Sequence, residues 1–170
     1  NWYDTAWYNN PYLEAYEIVD NFNTDYLNAM VNLSYEITPW LKAVVRGGLD
    51  AKSSREEWRN PISASTGAWG ANGKYGIERD YTNSINTDAM LMADKKWGKF
   101  GIEGLLGGNL YYYSYDYITS ETENGINVPG FYSLNASVDK PSTSSGIRRQ
   151  QINSLYGKAT FSWDDTYFID

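Results

Sequence analysis

A regular alternation of apolar and polar side chains is the feature that most restricts how this chain can fold. Over Leu27–Ile37 every second residue, beginning with Leu27, is apolar, and the residues between them are mostly polar. A repeat of two residues is the period of a β-strand whose two faces meet different surroundings. The alternation stops at Pro39, which cannot donate to a strand ladder, and resumes over Leu41–Asp50. The two segments therefore predict a β-hairpin with a short connection.

Four later segments continue the alternation and predict two further strand pairs. They are Ser84–Asp94, Phe100–Tyr111, Ser154–Trp163 and Thr166–Asp170. The stretches between the hairpins, at about 51–80 and 118–148, lose the alternation and collect Ser, Asn and Gly, so they are predicted to be long loops. The connections then alternate between short and long. Every short turn is expected at one end of the sheet and every long loop at the other.

This asymmetry is typical of outer-membrane β-barrels, which have tight periplasmic turns and long extracellular loops. We predict an all-β fold, an antiparallel up-and-down transmembrane β-barrel of which this chain forms about six strands. Residues 1–170 are assigned to part of one barrel domain, with hairpins at about 25–50, 81–118 and 149–170 and extracellular loops at about 51–80 and 118–148. Known spanning barrels have at least about eight strands, so the remaining strands are expected elsewhere in a longer polypeptide.

One face of the predicted strands carries no charged residue, whereas charges such as Arg46, Asp88 and Lys158 fall on the other face. A strand of about ten residues, tilted by about 45°, crosses an apolar band of roughly 25 Å. The residues predicted to face lipid are Val31, Leu33, Val45, Leu91, Ile102, Leu106, Leu155 and Phe161. Tryptophans lie at or beside the three short turns and predict a periplasmic aromatic girdle, formed by Trp40, Trp97 and Trp163.

A secreted, soluble carbohydrate-binding β-sandwich remains the alternative, because its strands also alternate between apolar and polar residues. The inner faces of a sandwich need bulky side chains to reach native packing density. Here the apolar face includes small residues such as Ala43, Gly47 and Gly108, which cost little against fluid lipid. A small barrel complete in itself would need a seventh and an eighth strand, which the alternation does not provide.

Composition excludes several classes of function. The chain has no Cys and no His, so it contains no disulfide, no thiolate or imidazole metal site and no His-based catalytic triad. With 21 acidic against 14 basic residues the net charge is −7, and the basic residues form no cluster that would neutralise phosphates. We therefore predict no metal, no cofactor, no nucleic-acid partner and no enzymatic activity.

The chain is rich in aromatic residues, with 16 Tyr and 7 Trp, and several of them fall in or next to the predicted loops. Flat rings that carry a hydroxyl or an indole N–H suit both sugar stacking and peptide contact. The candidate ligand-binding residues are Trp58, Trp69, Tyr75, Tyr81, Tyr113 and Tyr115. For the tyrosine run that begins at Tyr111, an extracellular aromatic girdle is the alternative, since membrane interfaces use the same residue types.

An ordered set of short motifs resembles the barrel of SusC/RagA-type TonB-linked outer-membrane proteins of Bacteroidetes. The motifs lie in the same order and with similar spacing along nearly the whole chain. They are Asn10-Pro11-Tyr12, the segment Asn32–Lys42, Gly47–Asp50, Phe100-Gly101, Phe131–Asn135, Arg148–Gln150, Ser154–Gly157 and Trp163–Phe168.

The resemblance implies a large single-chain barrel that imports oligosaccharides, peptides or other large nutrients across the outer membrane of a Gram-negative, Bacteroidetes-like bacterium. It also implies three partners: a SusD-like surface lipoprotein, the TonB complex acting through an N-terminal plug, and outer-membrane lipid. No plug domain and no TonB box are recognisable in this sequence, which is therefore expected to be an internal segment of such a barrel.

Overall fold

The computed structural model describes residues 9–64, 72–164 and 166–169, and its dominant feature is one antiparallel β-sheet. The strands are hydrogen-bonded in the order in which they occur along the chain, so the topology is up-and-down, as predicted. In the described residues the sheet is open and not closed into a barrel. The strands are β1 (Val19–Thr38), β2 (Leu41–Asn60), β3 (Lys74–Trp97), β4 (Phe100–Ile126), β5 (Ser137–Trp163) and β6 (Tyr167–Ile169).

Two short helices accompany the sheet. The helix α1 (Pro11–Tyr16) precedes β1 and was not expected from the strand pattern. The Asn10 side chain accepts a hydrogen bond from the Tyr12 N–H at 2.9 Å, and Pro11 occupies the first turn, where a missing N–H costs nothing. A single 3-10 turn, Leu134–Ala136, precedes β5. In the part of the chain that the structure describes, no helix is both long enough and apolar enough to span a membrane.

The strands run much further than the alternation predicted. β2 continues to Asn60 and β3 begins at Lys74, so their connection is 61–73 and not about 51–80. Likewise β4 continues to Ile126 and β5 begins at Ser137, which leaves 127–136 in place of a loop at about 118–148. The added strand residues mix polar and apolar side chains on both faces. They carry no apolar period, although their main-chain groups pair with the neighbouring strands.

The short connections lie where the sequence placed them. Pro39 and Trp40 separate β1 from β2, and Gly98 and Lys99 separate β3 from β4. Gly98 has a φ of +60°, a conformation that glycine adopts without steric cost. The third short connection begins at Asp164, and Asp165 lies outside the described residues.

The chain divides into two compact units. The turn unit holds the short turns and consists of the described residues of Leu27–Ala51, Thr82–Ser114 and Arg148–Asp170. The loop unit holds the longer connections and consists of the described residues of Asn1–Tyr26, Lys52–Tyr81 and Tyr115–Ile147.

In the turn unit, the residues predicted to face lipid are largely exposed. Their exposed fractions run from 44% for Leu91 to 89% for Leu155, and only Ile102 is half-buried. We call the surface that they form the apolar face. The opposite surface, called the polar face, carries charged side chains such as Glu36, Glu103 and Lys158. It also contains Val44, which is only 5% exposed and is one of the few buried apolar side chains in the described chain.

Candidate functional site

The polar face of the turn unit is organised by hydrogen bonds between side chains of neighbouring strands. The Asn109 amide of β4 donates to Asn86 Oδ1 at 2.7 Å and to Asp88 Oδ1 at 2.9 Å, both on β3. Between β1 and β2, the Asn28 amide donates to the Asp50 carboxylate. Amides and carboxylates that are satisfied across strands suit a surface that faces water. The polar face thus has the chemistry of an aqueous lining.

A hollow on the polar face lies near the short turns and contains charges of both signs. Its lining residues include Glu36, Lys42, Asp94, Glu103, Lys158 and Thr160. A mixed-charge lining contacts polar solutes and water without selecting strongly for one sign of charge.

Aromatic residues cluster on the opposite surface of the same unit, at the short turns. Trp163 and Phe100 pack edge to face with ring centroids 4.1 Å apart and an interplanar angle of 78°. Trp40 and Trp97 both lie against the Lys95 ammonium. The three tryptophans predicted for the girdle are thus found beside the short turns with partly exposed rings. Contact of these rings with a membrane stays a prediction.

In the loop unit, two glycines sit beneath aromatic rings of neighbouring strands. A Cβ added at Gly76 would lie 2.1 Å from the Trp58 ring, and one added at Gly146 would lie 2.6 Å from the Tyr117 ring. Tyr115 lies next to Tyr117, with the two ring centroids 5.8 Å apart. Because glycine has no side chain, each ring can approach the neighbouring strand closely, and both rings stay half-buried.

Acidic side chains lie near these aromatic rings, on the strand face that carries Trp58. Burial raises the pKa of the Glu56 carboxyl, and the charges of Asp20, Glu78 and Asp80 raise it further. Thr119 donates to Glu78 at 2.7 Å. The negative potential of this group disfavours an anionic ligand. In the described residues, no group of three or more carboxylates is arranged to hold a metal ion.

The other face of β2 in the loop unit carries an ion-pair network. Glu57 accepts two hydrogen bonds from Arg59, at 2.6 and 2.9 Å, and lies 3.6 Å from Arg55. The Arg59 guanidinium also lies 5.9 Å from the centre of the Tyr132 ring. Burial and then the Glu57 charge raise the pKa of the Tyr75 hydroxyl. Glu57 thus pairs with both arginines on this face of β2.

The structure distributes the predicted ligand-binding residues over more than one surface. Trp58 and Tyr115 each belong to the aromatic groups just described, whereas Tyr75 lies with Glu57 on the other face of β2. Tyr81 ends the β3 part of the loop unit with 45% of its surface exposed. Tyr113 belongs to the turn unit. All five lie in strands, not in loops, and the sixth candidate, Trp69, lies outside the described residues.

Sequence reasoning missed the acidic group around Glu56. A signal was present, since Glu78 and Asp80 are two residues apart and therefore share one face of an extended strand. That signal could be used only once residues 74–83 were known to form a strand, because a loop imposes no such spacing.

Glu56→Gln should reduce the stability that the protein loses as the pH rises. The pKa of Glu56 is higher in the folded protein than in the unfolded chain, so the folded state binds more protons between the two values. Stability therefore falls as the pH rises from the ordinary glutamate range, about 4.3, through the raised pKa. The variant should lose less stability than the parent between about pH 4 and about pH 8. Urea midpoints of the folded full-length polypeptide at both pH values measure this.

Glu14→Gln, on the exposed helix α1, is the matched control for that experiment. It removes one carboxylate without touching the group around Glu56, and its pH dependence should follow that of the parent. Parallel pH dependence of the parent and Glu56→Gln would contradict the electrostatic account of this group.

The fold and the two faces together define a class, an up-and-down antiparallel sheet of the kind from which β-barrels are built. Fifteen chains of solved structures match this chain. One of them, described as "Structure of the RagAB peptide transporter", has a TM-score of 0.63 and is 15% identical in sequence. The match covers 86% of this chain and 17% of that chain, so this chain spans about a sixth of the transporter chain. At this identity the likeness shows the fold.

No protein-family model matches the chain, and no curated protein sequence matches it either.

Proposed function

We propose that this chain is part of the barrel of an outer-membrane importer of the SusC/RagA type and has no enzymatic role. The observation that carries the proposal is the contrast between the two faces of the turn unit. Side chains such as Val31, Leu106 and Leu155 are more than half exposed on one face, whereas the other face carries amides and charges. If water lay on both sides of the sheet, exposure of the apolar face to water would cost free energy. Contact of that face with lipid hydrocarbon removes this cost.

The similarity to a peptide transporter supports import as the activity of the longer protein. Peptides and oligosaccharides both remain candidate substrates, because the rings at Trp58 and Tyr115 suit either of them. The acidic group around Glu56 favours a neutral or cationic substrate over an anionic one. By its resemblance to the family, the longer protein would act with a SusD-like lipoprotein and would be driven by the TonB complex through a plug.

The soluble β-sandwich gains no support from the structure. A sandwich needs two sheets that cover each other's apolar faces, whereas the described residues form a single six-stranded sheet. The exposed apolar face would lack a covering layer in that alternative.

The experiment that tests the proposal combines cell fractionation with labelling of introduced cysteines in the full-length polypeptide. The protein should sediment with outer membranes and require detergent for extraction. Cys is absent from this chain, so Val128→Cys and Lys99→Cys each place a single thiol in it, just after β4 and just before β4. Both positions are exposed, at 49% for Val128 and 63% for the Lys99 side chain.

A membrane-impermeant maleimide should label Val128→Cys on intact cells and Lys99→Cys only after the outer membrane is permeabilised. The reason is that longer connections face outward and short turns face the periplasm in barrels of this kind. Recovery of the protein in the soluble fraction would refute the proposal. Labelling of Lys99→Cys alone on intact cells would show that the orientation in the membrane is the opposite of the one proposed.

A further inference from the structure

A positively charged side chain is held between two indole rings where the apolar face meets the short turns. Lys95 precedes Trp97 by two residues on β3, so the two side chains project from the same face of that strand. The Lys95 Nζ lies 4.5 Å from the centre of the Trp40 ring and 5.0 Å from that of Trp97. Both distances fall within the roughly 6 Å range of cation–π attraction. The rings therefore fix the position of this ammonium group.

An apolar groove opens beside the same tryptophan. Its lining includes Trp97, Phe100, Ile102, Phe161, Trp163 and Tyr167. The contact between Phe100 and Trp163 gives the groove a rigid aromatic wall. Trp97 belongs both to the groove and to the pair of rings around Lys95, so a cationic group and an apolar channel are continuous on one surface.

A cation next to an apolar groove complements an amphiphile with an anionic head. We propose that Lys95 and this groove bind an anionic glycerophospholipid: the lipid phosphate accepts hydrogen bonds from the Lys95 ammonium, and an acyl chain lies in the groove. The inference rests on the proposed membrane placement of the apolar face. Lys99 at the neighbouring turn is not assigned this role, because its ammonium already pairs with the Asp164 carboxylate at 3.0 Å.

The test uses the full-length polypeptide in non-ionic detergent and measures lipid binding by native mass spectrometry. Phosphatidylglycerol should bind more tightly than phosphatidylcholine, which has the same phosphate but no net charge. Lys95→Gln should weaken phosphatidylglycerol binding about fivefold, the change expected when one lysine near an anionic lipid surface is lost, at about 1 kcal/mol. Binding of phosphatidylcholine should weaken less, because its choline group already offsets the charge of the phosphate.

Lys96→Gln is the matched control, because Lys96 is the next residue on β3 and projects from the opposite face. It should leave the preference for phosphatidylglycerol intact. Trp97→Leu, which keeps an apolar groove but removes a ring beside the ammonium, should reduce the preference without abolishing lipid binding.

Three results would overturn the inference. They are equal binding of the two lipids to the parent, equal losses in Lys95→Gln and Lys96→Gln, and displacement of the bound lipid by inorganic phosphate, which would make the free anion the ligand. These outcomes are separable from a failure of the proposed function. A protein that sediments with outer membranes but shows no preference for the anionic lipid refutes only the lipid site.

Discussion

Leu91→Arg is expected to lower the free energy of unfolding of the full-length barrel by about 2–4 kcal/mol, the cost of an arginine at the middle of a bilayer. Leu91 lies on the apolar face, six positions before Trp97 at the short-turn end of β3. At about 3.4 Å per residue and a tilt of about 45°, this places Leu91 roughly 14 Å inside the membrane edge. That depth is near the midplane of a 25–30 Å apolar layer, where the penalty should be largest.

Met92→Arg is the matched control because Met92 is the next residue, has nearly the same exposure and projects from the opposite face. The exposed fractions are 44% for Leu91 and 42% for Met92, and Met92 lines the charged hollow on the polar face. If water bathed both faces, the two arginine variants would have similar costs. With lipid on one side, Met92→Arg should cost less than about 1 kcal/mol. Unfolding in urea from lipid vesicles measures both values, and equal costs would refute the assignment of the faces.

Gly125→Ala is the second change with a large expected effect, and it acts at the far end of β4. Gly125 has a φ of +101°, and a Cβ added there would lie 2.7 Å from the main-chain oxygen of Asn72. That oxygen lies in the connection before β3 and accepts a hydrogen bond from the Ile126 N–H at 3.0 Å, so it cannot move away as a flexible side chain can. The backbone strain and the clash together should cost about 2–4 kcal/mol of local stability.

Two other glycines separate these contributions. Gly130 also has a positive φ, +75°, but a Cβ added there meets nothing within 4 Å, so Gly130→Ala should show only the cost of backbone strain, about 1 kcal/mol. Gly47 has neither problem, and Gly47→Ala should be neutral or slightly stabilising. Amide hydrogen exchange near each site is the measurement. An effect of Gly125→Ala no larger than that of Gly130→Ala would show that the contact with Asn72 does not matter.

The part of the fold that could be predicted from the sequence is the part with two unlike faces. Leu27–Ile37 and Leu41–Asp50 alternate because one side is apolar and the other polar, and the structure places strands there. Residues 51–60 are also strand, but neighbouring residues such as Glu56 and Glu57 place polar groups on both of its faces and the period disappears. A strand with polar groups on both faces leaves no period in hydropathy.

The residue types of the candidate site could be predicted from the sequence, but their positions relative to one another could not. Aromatic residues were expected to contact a ligand, and Trp58 does lie flat over Gly76 in the loop unit. Tyr75 instead lies with Glu57 on the other face. Successive residues of a strand point to opposite faces, but this rule could not be applied to a segment that was predicted to be a loop. The buried position of Val44 on the polar face was also not predictable, because alternation assigns a face and not the neighbours that cover it.

The order of strands in the sheet has a consequence for how such proteins change during evolution. Each strand pairs only with the strands that precede and follow it in the chain, from β1 to β6. Assembly can therefore proceed one hairpin at a time, since no strand must wait for a distant partner. A duplicated or deleted hairpin would enter or leave the sheet without forcing any connection to cross another. The number of strands in such a sheet can therefore change during evolution by one hairpin, that is by two strands, at a time.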